Sequence, residues 1–330
     1  MTPYRAPAWL PGGHLQTIWP ALYARRFVGP RPRWRRERWD TPDGDFIDVD
    51  WLATSPAAGA PLLVLFHGLE GSARSHYAES FAGWARQHGL AMAVPHFRGC
   101  SGEINRAPRA YHSGDHVEVD WMLHRLAQAQ AARGGGRLLA VGVSLGGNAL
   151  LRWAGESGES ARQVVAAVAA VCSPLDLAAG GHAIGRGFNR QVYNRMFLRT
   201  MKAKARAKLA QHPGLFDLRR LTEARDLYAF DDLFTAPLHG FAGVEDYWRR
   251  ASAKPHLPAI RVPALALNAR NDPFVPAASL PRADEVGRHV TLWQPGEGGH
   301  VGFAQGAAPG HVLWLPQAVG GWLLAPHGDA

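Results

Sequence analysis

Short apolar runs recur along most of this chain: "PLLVLF" from Pro61, "LAMAVPHF" from Leu90, "RLLAVGV" from Arg137, "VVAAVAAV" from Val164, "VPALALNA" from Val262 and "HVTLWQP" from His289. Each is the length of a strand and lacks the alternating polar face of a half-solvated one, so each reads as a strand buried on both sides. Helical patterns stand among them: "SHYAESFAGWARQHG" ending at Gly89, a stretch from about Asp115 to Ala132, the residues after Ser144, and a closing helix near Leu313 to Leu324. Strands alternating with helices demand a mostly parallel sheet covered on both faces, an α/β fold. The rhythm breaks between Cys172 and Val262. There the chain turns irregular or helical, and the spacing predicts a helical insertion over 177–256, with a core built from 1–176 and 257–330 and an N-terminal arm over 1–40.

At 330 residues, with 47% hydrophobic and 19% charged residues, the chain can bury a large core and is not a disordered polymer. Its two cysteines, Cys100 and Cys172, are too few for a disulfide framework, and "MTPYRAPAWLPGG" lacks the apolar region of a secretory leader. The longest apolar run falls short of a membrane span. These features point to a cytoplasmic protein.

The formal charge of +9 is local. Residues 1–39 hold Arg5, Arg25, Arg26, Arg31, Arg33, Arg35, Arg36 and Arg38 against Glu37 alone; residues 186–208 hold eight basic residues and no acid. No zinc-finger or RNA-binding pattern accompanies them, so nucleic acid is not the expected partner; acidic lipid or an anionic substrate is. Within the insertion, Phe188, Val192, Met196, Phe197, Met201 and Leu209 recur at helical spacing, with Arg190, Arg195, Arg199, Lys202 and Arg206 tending to the other side. Two readings follow: a helix packed on the core with a solvated cationic face, or one docked on anionic membrane.

The stretch "GVSLGGN" (Gly142 to Asn148) lies between a strand and a helix. A Gly-x-Ser-x-Gly pentapeptide alone is weak evidence, but in a strand–turn–helix it is the setting of a nucleophile elbow, where small residues let the flanking backbones close on the serine. A serine needs an imidazole oriented by a carboxylate. Asp272 in "RNDPFVP" and His300 in "GEGGHVGF" each follow a later strand, in the order Ser, acid, His. Asp176 in "CSPLDL" is the competing acid, while Glu297 stands too near His300 to orient it. The loop "FHGLEGS" after the first apolar strand suits the oxyanion donors, with the backbone N–H of Leu69 as one and that of Leu145 as the other. His67 reads as a brace for that loop, and Arg98 as a pin holding loops through backbone carbonyls. Cys100 is not needed as a second nucleophile.

Beyond these residues, "GGHLQTIWP", "DGDFIDVDW", "FHGLEGS", "HFRGCSGEINR", "YHSG", "GVSLGGN", "FDDLFTAPLHGF", "NDPFVP" and "GGHVGF" lie in the order of one branch of the α/β-hydrolase superfamily. The chain resembles the YheT-like hydrolases over about residues 8–325. The resemblance implies an α/β-hydrolase fold with a cap, a serine hydrolase triad of Ser144, Asp272 and His300, and esterase or lipase-type activity on acyl esters. His14, Gln16 and Thr17 in the first of these stretches are expected to hold a packed arm across the domain by hydrogen bonds.

The expected substrate is a small-molecule acyl ester with an apolar acyl group. No metal or organic cofactor is expected, since neither a His-Glu-x-x-His run nor a dinucleotide glycine fingerprint occurs. An acyltransferase using the same triad, and a membrane-associated binding protein with an idle triad, remain open at this level.

Overall fold

The structure is a computed structural model that describes residues 3–327. After helix α1 (Gly12–Leu22), the strands β1 (Trp34–Asp40), β2 (Phe46–Leu52), β3 (Leu62–Phe66), β4 (Ala91–Pro95), β5 (Leu138–Val143), β6 (Ala167–Val171), β7 (Ala264–Leu267) and β8 (Val290–Trp293) form one sheet. Its order is β1-β2-β4-β3-β5-β6-β7-β8. From β4 to β8 all pairings are parallel, with Val64 opposite Ala140, Val141 opposite Ala169 and Val171 opposite Leu267. All six apolar runs are therefore strands, as their pattern predicts.

Alternate residues of these runs feed two cores. Leu62, Val64, Phe66 and Ala140 face one side, where α3 (His116–Ala132) and α4 (Leu145–Ser157) pack with Met122, Leu126, Leu150 and Trp153. Leu63, Leu65 and Val141 face the other, against Phe81 and Trp84 of α2 (His76–Gln87) and Leu315 and Val319 of the closing helix, Trp314–Leu324. Each Leu, Val, Phe or Met so removed from water contributes about 1.5–3 kcal/mol.

The arm holds a surprise. Residues 34–40, counted above as part of a basic arm, form the edge strand β1, antiparallel to β2. Arg36 lies opposite Asp50 and Arg38 opposite Asp48, and each guanidinium grips its carboxylate with two bonds of 2.8 and 2.9 Å. Arg26 and Arg31 both pair with Glu79 on α2. Much of the arm's charge is thus neutralised within the fold.

Between β6 and β7 the chain leaves the sheet. It forms α5 (Leu177–Ile184), then a helix that opens at Gly187, passes a wide π turn at Arg190–Asn194 and continues as α6 (Arg195–Gln211). Shorter helices and α7 (Val244–Ala251) lead back to the sheet, and the closing helix is α8 (Trp314–Leu324). Leu198, Leu221, Leu227, Phe230 and Phe234 give this segment a cluster of its own. Among the described residues, no helix is long and apolar enough to cross a membrane.

Because β3 sends its chain to β4 on one side while β5 lies on its other side, strand order reverses between β3 and β5. Loops at the carboxyl ends diverge at such a switch point and leave a crevice. The loop "FHGLEGS" and Ser144 flank it.

Candidate active site

Ser144 follows the last residue of β5 and precedes α4 with φ 53° and ψ −119°, a left-handed conformation that costs a non-glycine residue on the order of 1–3 kcal/mol. The surroundings hold it there. Its N–H donates to Val171 O of β6 at 2.8 Å, and its carbonyl accepts from Gly147 and Asn148. A Cβ at Gly142 would overlap the Gly146 backbone, and one at Gly146 would overlap Phe66 O of β3, so both glycines are sterically required. The strand–turn–helix inferred from "GVSLGGN" is present.

The loops after β7 and β8 bring Asp272 and His300 to this serine. His300 Nε2 lies 3.0 Å from Ser144 Oγ, and His300 Nδ1 lies 2.8 Å from Asp272 Oδ2. An ionised carboxylate can only accept, so Nδ1 carries the proton and Nε2 is left to accept from the hydroxyl. Asp272 Oδ1 meanwhile accepts from the N–H groups of Phe274 at 2.8 Å and Val275 at 3.3 Å, which fixes the carboxylate's plane. Phe274 packs on the imidazole at a ring separation of 4.2 Å. Asp176, the competing acid, instead caps α5 by accepting from Ala179 N–H, and Glu297 accepts from Ala6 N–H.

Helix α1 braces the histidine loop. Thr17 Oγ1 accepts from His300 N–H at 2.8 Å, and Gln16 Oε1 accepts from Asn271 Nδ2 at 2.8 Å and Gly298 N–H at 2.9 Å. Asn271 Oδ1 in turn accepts from Gly299 N–H. The packed arm expected of "GGHLQTIWP" is therefore also what holds the imidazole in place. Cys172 completes the frame, its Sγ 3.3 Å from Val301 N and 3.6 Å from Gly299 O. Cys172, Asp272 and His300 offer ligand atoms within 4.8 Å of one another, the one such grouping among the described residues. Burial and the Asp272 charge push the Cys172 thiol well above its ordinary pKa, which disfavours the thiolate a metal needs. The donor set fits a hydrogen-bonded cluster better than a metal centre.

Sequence reasoning did not assign these bracing roles to Asn271 and Cys172. The only signals were their closeness to Asp272 and to the end of β6.

In the loop after β3, Gly68 N–H donates to Tyr77 Oη and Glu70 N–H to Tyr111 Oη, each at 2.9 Å. Between them, the Leu69 amide has no acceptor among the described residues, and neither does that of Leu145 at the start of α4. Both residues line the cavity beside Ser144. Tyr111 Oη donates back to Glu70 Oε1, which also accepts from Lys204 of α6 at 2.8 Å, tying this loop to the helical segment. His67 is buried and neutral, its pKa lowered to about 3 by burial and by neighbouring His96. It donates to Gly68 O and accepts from Phe97 N–H, the expected brace.

Arg98 does pin loops, but through carboxylates rather than backbone carbonyls: Asp43 and Asp45 of the turn before β2 and Glu118 of α3. A guanidinium this buried requires counter-charge, which carbonyl dipoles do not supply. Burial pushes the Cys100 thiol up to about 11, so it is no thiolate at neutral pH.

The cavity over Ser144 measures about 130 Å³ and is walled by Ile184, Phe197, Met201, Leu227, Phe230 and Phe234 of the helical segment. Its wall is mostly apolar, with Ser144 among the lining residues.

A family described as alpha/beta hydrolase fold matches residues 61–307. The chain is 40% identical over 313 residues to a candidate esterase, YheT, of Escherichia coli (strain K12), covering 94% of this chain and 89% of that protein. It is 26% identical over 300 residues to phospholipase ABHD3 of Mus musculus, covering 88% and 72%. Among solved structures, the Pyrococcus furiosus esterase Pf2001 shares the fold with a TM-score of 0.55 at 14% identity, over 91% of this chain and 96% of that one.

Proposed function

This chain belongs to the alpha/beta hydrolase fold family and is an ester hydrolase of the esterase and lipase kind; from that premise we propose that it works through a triad of Ser144, His300 and Asp272, with residues 177–256 as a cap over the acyl group. The observation that carries the reading is the unbroken relay of 3.0 and 2.8 Å contacts from Ser144 Oγ through the imidazole to Asp272.

In this mechanism the Ser144 hydroxyl attacks the ester carbonyl while His300 Nε2 takes its proton, and Asp272 stabilises the imidazolium that forms. The carbonyl oxygen, now negative, moves between the N–H groups of Leu69 and Leu145, each such donor being worth on the order of 10²–10³ in rate. His300 then protonates the leaving alkoxide. Water, activated by the same imidazole, cleaves the acyl-enzyme and restores Ser144. The aromatic and aliphatic cavity wall supports an apolar acyl chain as the preferred group.

The test is hydrolysis of p-nitrophenyl esters graded by acyl length, with wild type and Ser144→Ala. The expected fall for the variant is on the order of 10³-fold or more, at every chain length. Retention of wild-type rates by Ser144→Ala overturns the proposal.

A further inference from the structure

Eight basic residues occupy 186–208 without an acid, and the structure divides them. Lys204 and Lys208 turn inward, the first to Glu70 and the second to the carbonyls of Asn105 and Ala107. Five of the others, Arg190, Arg195, Arg199, Lys202 and Arg206, line an outer groove together with Arg225, with Lys202 also donating to the carbonyls of Thr222 and Ala224. Among the described residues none of these six has a carboxylate within 4.0 Å, although arginines elsewhere, such as Arg36, Arg38 and Arg98, are paired. Burial and adjacent Arg206 both push the Lys202 ammonium's pKa down. A crowd of like charges held without counter-charge weakens the fold and is relieved by an anionic surface.

An apolar row accompanies the groove. Phe188, Val192 and Met196, apolar members of the same helical pattern, are 51%, 37% and 48% exposed. They follow one another at four-residue steps, with Arg195 and Arg199 three residues beyond Val192 and Met196, so the two kinds of side chain are neighbours on the helix surface. Phe197 and Met201 on the opposite side line the cavity over Ser144.

We propose that this outer face of α6 and its preceding turn is a docking surface for anionic phospholipid bilayer. The cations reach the phosphate layer, while Phe188, Val192 and Met196 enter the boundary between headgroups and acyl chains. A polyanion such as nucleic acid would use the cations but leave the apolar row in water, which is why a bilayer is the better match. Docking places the cavity wall next to a reservoir of acyl lipid. The surface stands apart from the Ser144 chemistry, so the two can fail separately.

The test is flotation with vesicles of phosphatidylcholine containing about one-third phosphatidylserine, beside vesicles of phosphatidylcholine alone. Binding is expected to the anionic vesicles only, to weaken in high salt, and to be the same for Ser144→Ala. Replacing Arg195, Arg199 and Arg206 together by Gln is expected to lower the partition roughly five-fold per arginine, about a hundred-fold in all. The triple variant keeps wild-type hydrolysis of a water-soluble ester, which reports that it has folded. The pair Val192→Ser and Met196→Ser weakens binding while leaving its salt dependence. Equal binding to neutral vesicles, or an undiminished partition for the triple variant, overturns the proposal. So does complete release by millimolar inorganic phosphate at constant ionic strength, which would mark a site for free anions.

Discussion

Thr17 offers a way to move the proposed general base without touching it. Its Oγ1 accepts from His300 N–H at 2.8 Å and donates to Gly13 O at 2.7 Å, and the residue is buried. Thr17→Val keeps the shape and removes the oxygen, leaving the histidine's amide without an acceptor. An orphaned buried donor costs about 1–3 kcal/mol. Since this amide is only partly shielded, we expect about 1–2 kcal/mol, which at roughly 2–4 °C per kcal/mol lowers the melting temperature by about 2–8 °C. The imidazole hangs from that backbone, and a displacement approaching 1 Å costs up to about 10²-fold in rate, so a partial shift predicts a fall in kcat of about ten-fold. Thr17 lines no part of the cavity, so KM should stay constant. Thr17→Ser, which restores the hydroxyl, should recover most of the loss. The assay is kcat and KM on a soluble p-nitrophenyl ester beside a thermal melt. A valine variant that melts lower yet keeps kcat within about two-fold of wild type would refute the bracing argument.

Acid should probe the turn before β2. Burial alone would raise the pKa of Asp45, but hydrogen bonds from Asn105, Arg106 N–H, Arg98 and Phe46 N–H outweigh it and hold the carboxyl at about 2. A depressed carboxylate contributes stability that is present above about pH 4 and lost as pH falls through about 2. Urea unfolding across that window should therefore show a steeper decline for wild type than for Asp45→Asn, and equal slopes would contradict it. Arg98→Met leaves Asp45 and Glu118 buried without their cation and should cost about 3–5 kcal/mol, read as a large drop in the denaturation midpoint. Tyr111→Phe removes the acceptor that holds Glu70 N–H beside Leu69; a loss of about 1 kcal/mol there should appear as a several-fold lower kcat, and an unchanged kcat would separate this tyrosine from the proposed oxyanion loop.

The parallel strands were legible because a strand buried on both faces is a continuous apolar word. The strands β1 and β2 were not. "WRRERWD" and "FIDVDWL" carry charges that mask strand character until the two are laid side by side, when Arg36 meets Asp50 and Arg38 meets Asp48. Ser144, Asp272 and His300 could be read from their places after β5, β7 and β8, because parallel topology carries those loop ends to one edge. Gln16, Thr17 and Asn271 make contacts between opposite ends of the chain, and no local pattern announces such a partner. The helix at 187–211 was legible as amphipathic, yet periodicity alone could not show that Phe197 faces a cavity while Met196, one residue before it, faces outward.

The proposed chemistry requires Ser144 to be a nucleophile made reactive by His300. Labelling of the folded protein with a fluorophosphonate, followed by peptide mapping, tests it most directly. A single covalent adduct is expected on Ser144, absent in Ser144→Ala and strongly slowed in His300→Ala. An unlabelled Ser144 in folded protein, or equally fast labelling without the imidazole, would contradict it.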